Sequence, residues 1–463
     1  MLRNLPAWVV TGAEFLLVAI AALVSRIIFL DHEPVQDELY HLLAAKSWAE
    51  DGSFVIADGE YTRARLFTVF VGSVYSVFGE NLTAVRTASA IIGVLWVVAV
   101  YAWCRAKVGN TVAWITALLL CLAPGAIFLS QYVRFYSMHG LLLWLGSIAV
   151  YEILVERHRF AVSFGLGAAA LVSLGLAAHL QVTTLIGALG LFVFAGIVWW
   201  PHIGGFLSKD RRYWIYLGLA AVAAFAALVL SGIAGTLIEI YRAAPLWNTG
   251  SGPLRYHWIM LSKFPLIWAA VPIMAVLLLA RKDMPGTFAV VMVIVVFALH
   301  SFSGMKGERY IYYAMPFFFL IGALALVEIL SRTSTGLDAI TQQWTAIPDA
   351  LRTAFGTVSL VVIAAFLVLC NPAFRLTADL VRNKETYSGD GNAVYWTRYQ
   401  SNWNAALEEI ESLAASSAVT ITPNGLHMLY YQSSYDFELS ASRLSELYYK
   451  PWKASQEFTE DFR

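Results

Sequence analysis

Long apolar runs alternate with short charged clusters along most of the chain. A membrane-spanning helix needs about twenty consecutive apolar residues, and the runs meet that length. They predict about eleven spans, near residues 7–30, 84–104, 111–130, 138–155, 161–179, 183–200, 214–235, 259–280, 287–302, 310–330 and 356–371. The apolar stretch Leu66 to Phe78 is shorter than a span, and it predicts an interfacial or re-entrant helix that starts by Arg63 and Arg65 and ends at Gly79. From Gln36 to Glu50, apolar Leu39, Leu42, Leu43 and Trp48 recur at helical spacing, and Asp51-Gly52 closes the run. That pattern predicts an amphipathic helix lying on the membrane. Beyond Asn371 the pattern changes. Asn402 to Leu413 reads as a helix, Ala418 to Ile421 as a strand and Leu426 to Tyr431 as a short helix, which together make a small α/β tail.

Charge then orients the spans. Twelve basic residues fall in the short loops on one side: Arg3, Arg105, Lys107, Arg157, Arg159, Lys209, Arg211, Arg212, Arg281, Lys282, Arg332 and Arg352. The positive-inside bias makes that side cytoplasmic, so the N-terminus is expected inside and the tail outside. Treating Leu66 to Phe78 as a span would reverse that charge bias. The expected organisation is a transmembrane region over 1–371, with a large outer loop at 31–83, and an extracytoplasmic region over 372–463.

Composition agrees: 59% of residues are hydrophobic and 13% charged, against roughly 25% charged in soluble domains. The net charge of zero gives no footprint for nucleic acid. Cys104, Cys121 and Cys370 lack metal-ligand spacing and read as small core residues.

The outer loop carries the candidate chemistry. It holds nine carboxylates against Lys46, Arg63 and Arg65. Asp37-Glu38 open the predicted amphipathic helix. Asp37 can serve as its N-cap, with Glu38 complementing the dipole, or the pair can do chemistry. Arg134 and the cluster Lys306, Glu308 and Arg309 sit in short outer turns, against the charge bias. Ionisable groups there are functional candidates, or else interfacial anchors. Arginine forks suit phosphate oxygens. His179 and His300 lie at outer ends of apolar runs and are packing residues or ligands. Arg26 is expected to snorkel or to pair with the first loop.

These residues resemble the GT-C-class glycosyltransferases, especially the protein O-mannosyltransferase and lipid A aminoarabinose transferase group. The resemblance rests on Asp37-Glu38-Leu39-Tyr40, the amphipathic helix ending at Gly52, and the stretch Phe78-Gly79-Glu80-Asn81 to Arg86. It continues through the Gln131 to Tyr136 turn and the stretch Lys306 to Pro316. One departure is clear: the aminoarabinose transferase pattern has an Asp after the arginine of the second motif, where this chain has Phe135-Tyr136-Ser137. The resemblance implies a GT-C fold and inverting transfer of a sugar from a polyprenyl-phosphate donor to an acceptor hydroxyl (of protein, lipid or glycan) on the extracytoplasmic face of a prokaryotic plasma membrane. It assigns Asp37, or Glu38, as the base, and Arg134, Lys306 and Arg309 to the donor phosphate. Tyr40, Tyr136, His179, Arg255, Tyr256, His257, Glu308 and Tyr310 become candidates for substrate contact, and the loop from Tyr241 to Trp258 a candidate acceptor lid. A divalent cation is compatible with the acidic loop, although no ligand spacing demands one. The competing readings are a lipid-linked-oligosaccharide mannosyltransferase of similar fold, a transporter or flippase, and a non-catalytic assembly protein.

Overall fold

The computed structural model describes residues 6–28, 30, 33–56, 59–207, 235, 252–303, 306–341, 348–382, 407–409, 421–422, 425–431 and 437–438. The expected span at 214–235 lies outside these apart from Gly235. So do Tyr241, Arg242 and Trp247 of the expected lid, and most of the helix expected over 402–413.

The described chain is almost wholly helical and divides into two units. The first comprises 1–28, 90–131 and 136–384; the second comprises 29–89, 132–135 and 385–463.

The first unit holds the apolar helices. In chain order they are α1 (Ala7–Ile27), α4 (Leu82–Lys107, of which 90–107 belong here), α5 (Asn110–Leu122), α6 (Pro124–Gln131), α7 (Tyr136–Val155), α8 (Phe160–Leu180) and α9 (Thr184–Leu207). They continue with α10 (Arg255–Lys263), α11 (Pro265–Arg281), α12 (Met284–Ser301), α13 (Glu308–Ile311, followed by a 3-10 turn Tyr312–Ala314), α14 (Met315–Thr341), α15 (Asp349–Leu369) and α16 (Pro372–Arg382). Among the described residues six helices are long and apolar enough to cross a membrane, or up to nine spans if each of three bent pairs counts as one. These nine coincide with nine of the expected stretches. The expected span at 183–200 is α9, whose apolar part Thr184–Trp200 is shorter. Large apolar side chains point outward, among them Leu16, Phe192, Ile273, Val276 and Phe366. Such surface is costly in water and suits hydrocarbon. The chain is a multi-pass membrane protein.

Three expected spans are not continuous. Asn110–Leu122 and Pro124–Gln131 meet at 64°, Arg255–Lys263 and Pro265–Arg281 at 113°, and Ala354–Leu369 and Pro372–Ala378 at 90°. A proline opens the second helix each time. It has no N–H to continue the ladder, and it pushes the preceding residue out of the helical region; Ala123 accordingly has ψ 118°. The bends lie side by side. Thr377 Oγ1 donates to the Leu122 carbonyl at 2.7 Å, satisfying an orphan acceptor at the end of α5. Phe264 and Phe374 rings meet at 5.5 Å.

The charged groups Glu14 and Arg26 inside this unit are paired. Glu14 accepts from Arg105 Nε at 3.0 Å and Asn110 Nδ2 at 2.9 Å. Arg26, expected to snorkel or to meet the outer loop, is instead buried. Its Nε donates to Ser130 Oγ at 3.1 Å and Nη1 to the Ala22 carbonyl at 3.3 Å. Gly93 makes room for it, since a Cβ there would sit 2.4 Å from Ser130 Oγ.

The second unit is built on α2 (Gln36–Asp51) and α3 (Arg65–Phe78), which pack against each other. Both end as expected, at Gly52 (φ 81°) and Gly79 (φ 71°), where the positive φ favours glycine. Between them β1 (Val55–Ile56) and β2 (Gly59–Glu60) form an antiparallel hairpin that the sequence pattern does not signal. From the tail, β3 (Ile421–Thr422) pairs in parallel with β4 (Phe437–Glu438), and α17 (Gly425–Tyr430) packs on α2. Leu407 and Met428 are buried.

Candidate functional site

In the second unit the first turn of α2 organises the site. The helix starts at Gln36, so Asp37 lies inside the first turn rather than at the cap. The capping group is the Glu38 carboxylate, whose Oε2 accepts from the Val35 N–H at 3.1 Å. That carboxylate is fully buried against a fully buried arginine: Arg86 Nε donates to Oε1 at 3.1 Å and Nη2 to Oε2 at 2.7 Å. Arg86 also donates to the carbonyls of Leu30 at 3.0 Å and Glu33 at 3.3 Å. Glu38 Oε1 takes a further bond from the Val133 N–H at 2.9 Å. One ion pair therefore ties together the chain before α2, the start of α4 and the turn carrying Arg134. A carboxylate this heavily hydrogen-bonded and enclosed is an anchor.

Asp37 is placed differently. Its side chain is half-buried, and its carbonyl accepts from Arg134 Nη1 at 2.9 Å. The same Nη1 donates to Tyr61 Oη at 3.2 Å. Arg134 is itself buried, and its guanidinium lies 5.5 Å from the centre of the Phe135 ring. Arg63 lies 5.3 Å from the same ring. Tyr40 stacks on Tyr61 at 5.5 Å. The Tyr61 hydroxyl is pushed up by burial, against the pull of both guanidinium groups, and the Asp37 charge pushes it further. His41 sits under this cluster. Its Nδ1 meets Thr68 Oγ1 at 2.9 Å. Burial first, then the charges of Arg134 and Arg63, hold its pKa well below 6.5, so the ring is neutral. From the tail, Tyr430 is pushed up to about 12 by burial. The result is a half-buried acidic residue on a turn held by Arg134, with Arg63 and a stacked pair of phenols in the same cluster.

The remaining candidates belong to the first unit. Lys306 Nζ donates to the Ser303 carbonyl at 2.6 Å. Arg309 lies 5.2 Å from the Tyr310 ring. Glu308 pairs with Lys263. Tyr256 is fully buried, and its hydroxyl accepts from the Gly307 N–H at 3.0 Å and donates to the Gly307 carbonyl at 3.2 Å, which fixes the backbone between Lys306 and Glu308. His257 Nε2 meets Ser301 Oγ at 3.1 Å. Tyr136 is buried at the start of α7, and His179 and Arg255 are exposed. His300 packs inside, 3.1 Å from Tyr313 Oη. Among the described residues no three His, Cys, Asp or Glu side chains come together as metal ligands.

Sequence reasoning missed Arg86, Tyr61, His41 and Lys263. Arg86 carried a readable signal, a lone charge near the start of a long apolar helix. The other three gave none, because their roles come from contacts distant in sequence.

The helical bundle with a helical loop after its first helix defines a membrane protein of the GT-C fold. ArnT from Cupriavidus metallidurans has the same fold. Its apo structure matches with a TM-score of 0.58 at 16% identity, over 94% of this chain and 87% of that one. The same protein bound to undecaprenyl phosphate matches with a TM-score of 0.58 at 16% identity, over 94% and 86%. The apo oligosaccharyltransferase from Archaeoglobus fulgidus matches with a TM-score of 0.57 at 13% identity, over 92% of this chain and 64% of that one. No protein-family model matches the chain, and no curated protein matches it in sequence.

Proposed function

We propose that the chain is an inverting glycosyltransferase that moves a sugar from a polyprenyl-phosphate donor to an acceptor hydroxyl on the extracytoplasmic face of a prokaryotic plasma membrane. The observation that carries this reading is the division of labour between adjacent carboxylates. Glu38 is locked by Arg86 in full burial, while Asp37 is only half-buried, on the turn that Arg134 holds. The GT-C fold, shared with a protein whose structure holds undecaprenyl phosphate, supports a polyprenyl-phosphate donor.

Asp37 acts as the general base. It takes the proton of the acceptor hydroxyl as that oxygen attacks the anomeric carbon. The new C–O bond forms as the bond from the anomeric carbon to the phosphate oxygen breaks, and the electron pair leaves with the lipid phosphate. Arg134 and its neighbour Arg63 supply positive charge beside Asp37. The roles of Lys306 and Arg309 in holding the lipid phosphate rest on the family resemblance of the Lys306 to Pro316 stretch. The acceptor-lid role of the loop from Tyr241 to Trp258 rests on its aromatic residues, which suit a sugar or lipid face.

The test compares purified wild type and Asp37→Asn for transfer from a panel of labelled polyprenyl-phosphate sugars to membrane acceptors. A fold reduction of about 10²–10⁴ with unchanged melting supports the base role. Full activity in the variant overturns it.

A further inference from the structure

We propose that His427, on the tail helix α17, is a positioning residue for Asp37 that acts through the backbone ahead of α2, a role that presupposes Asp37 as the base. Both residues belong to the second unit, where α17 packs on α2. His427 is buried, and its ring donates to the carbonyl of buried Pro34. That carbonyl lies just outside the helical ladder. The helix α2 begins at Gln36, and the Val35 carbonyl takes its first bonds, from the N–H groups of Glu38 at 2.8 Å and Leu39 at 3.4 Å. A buried carbonyl that the helix does not engage needs a partner from elsewhere. Burial holds the His427 pKa below 6.5 against the pull of the Pro34 bond, so a neutral ring makes the contact.

Neighbouring backbone groups are held in the same way, each by a side chain. Arg86 donates to the Glu33 carbonyl at 3.3 Å, Glu38 Oε2 accepts from the Val35 N–H at 3.1 Å, and Arg134 donates to the Asp37 carbonyl at 2.9 Å. His427 completes this series at Pro34, and it is the member that the tail supplies. Tyr430, one turn further along α17, lies near Arg86 and Glu38, so the tail helix covers the anchor as well as the entry to α2. Pro34 precedes Asp37 by three residues. A change in backbone direction at Pro34 therefore tilts the first turn of α2 and carries the Asp37 carboxylate with it. Misplacing a reacting group by about 1 Å costs on the order of 10²-fold in rate.

The test uses the full chain in the transfer assay described above, with kcat and the KM for the donor measured separately. His427→Phe keeps an aromatic ring in the buried position and removes the donor. It is expected to lower kcat by about 10–100-fold and to leave KM within about twofold. At least one of His427→Gln and His427→Asn, which retain an N–H donor, is expected to recover most of the loss. Added to Asp37→Asn, His427→Phe is expected to change the residual rate by less than about twofold, because no base is left to position. The same fold loss in both backgrounds overturns the proposal, as does failure of both donor-retaining variants to recover. A loss that follows the folded fraction, read by melting and gel filtration, also overturns it, since the ring then only stabilises. An inactive Asp37→Asn beside a fully active His427→Phe removes this proposal alone, whereas full activity in Asp37→Asn removes the base reading and this proposal with it.

Discussion

The Glu38 carboxylate and the Arg86 guanidinium meet in two hydrogen bonds of 3.1 and 2.7 Å, with both side chains wholly enclosed. Breaking such a pair from one side leaves a buried charge uncompensated, at a cost of about 3–5 kcal/mol. Glu38→Gln is therefore expected to lower the thermal midpoint in detergent markedly and to lose activity through misfolding. Asp37→Asn is expected to melt like wild type. Melting curves of the two variants side by side separate the anchor from the proposed base; equal destabilisation would contradict the division of labour.

His41 sets a pH dependence. Its folded pKa lies well below the ordinary 6.5, because burial and the charges of Arg134 and Arg63 oppose protonation. As pH falls through about 6.5, the unfolded chain takes up a proton that the folded chain refuses. Stability thus declines from that point downward. His41→Asn is expected to flatten the decline between about pH 7 and pH 5, measured as thermal midpoint against pH. An unchanged slope in the variant would assign the dependence to other groups.

Tyr256→Phe removes the hydroxyl that bonds both polar groups of Gly307. The loss is expected to cost about 1–3 kcal/mol. Because the clamp fixes the backbone beside Lys306, the KM for the donor is expected to rise more than kcat falls. Steady-state kinetics across donor concentrations read that split.

Gly140 on α7 faces the Trp96 ring so closely that a Cβ would lie 2.4 Å from Cη2. Trp96 is buried and has little freedom to move aside. Gly140→Ala is expected to destabilise by about 1–3 kcal/mol through overpacking, visible in the same melting assay.

Much of the architecture was readable from apolar run length, because hydrocarbon imposes that length directly on a helix. The ends of α2 and α3 were readable too, since Gly52 and Gly79 adopt backbone angles that few other residues tolerate. The bends at Pro124, Pro265 and Pro372 were marked by the prolines, yet averaging hydropathy over twenty residues conceals a break that one residue makes. At the site, Asp37 and Arg134 stood out as charges in unusual places. The partner of Glu38 lies 48 residues away, and that of Glu308 lies 45 away. Local pattern cannot select among the arginines and lysines at such separations. Arg26 shows the opposite error: near a span end it looks like a snorkelling residue, but Ser130 on α6 gives it an interior partner.

The three proline bends have a consequence for biogenesis. The pieces α6, of 8 residues, and α10, of 9, are too short to be taken up by an insertion machinery that recognises roughly twenty apolar residues. Each is expected to enter the bilayer together with its longer companion. The bend then follows only when neighbouring helices arrive to accept the freed backbone groups, as Thr377 does for Leu122. The bend between α5 and α6 is thus expected to form late in assembly, once Thr377 on α16 has been synthesised.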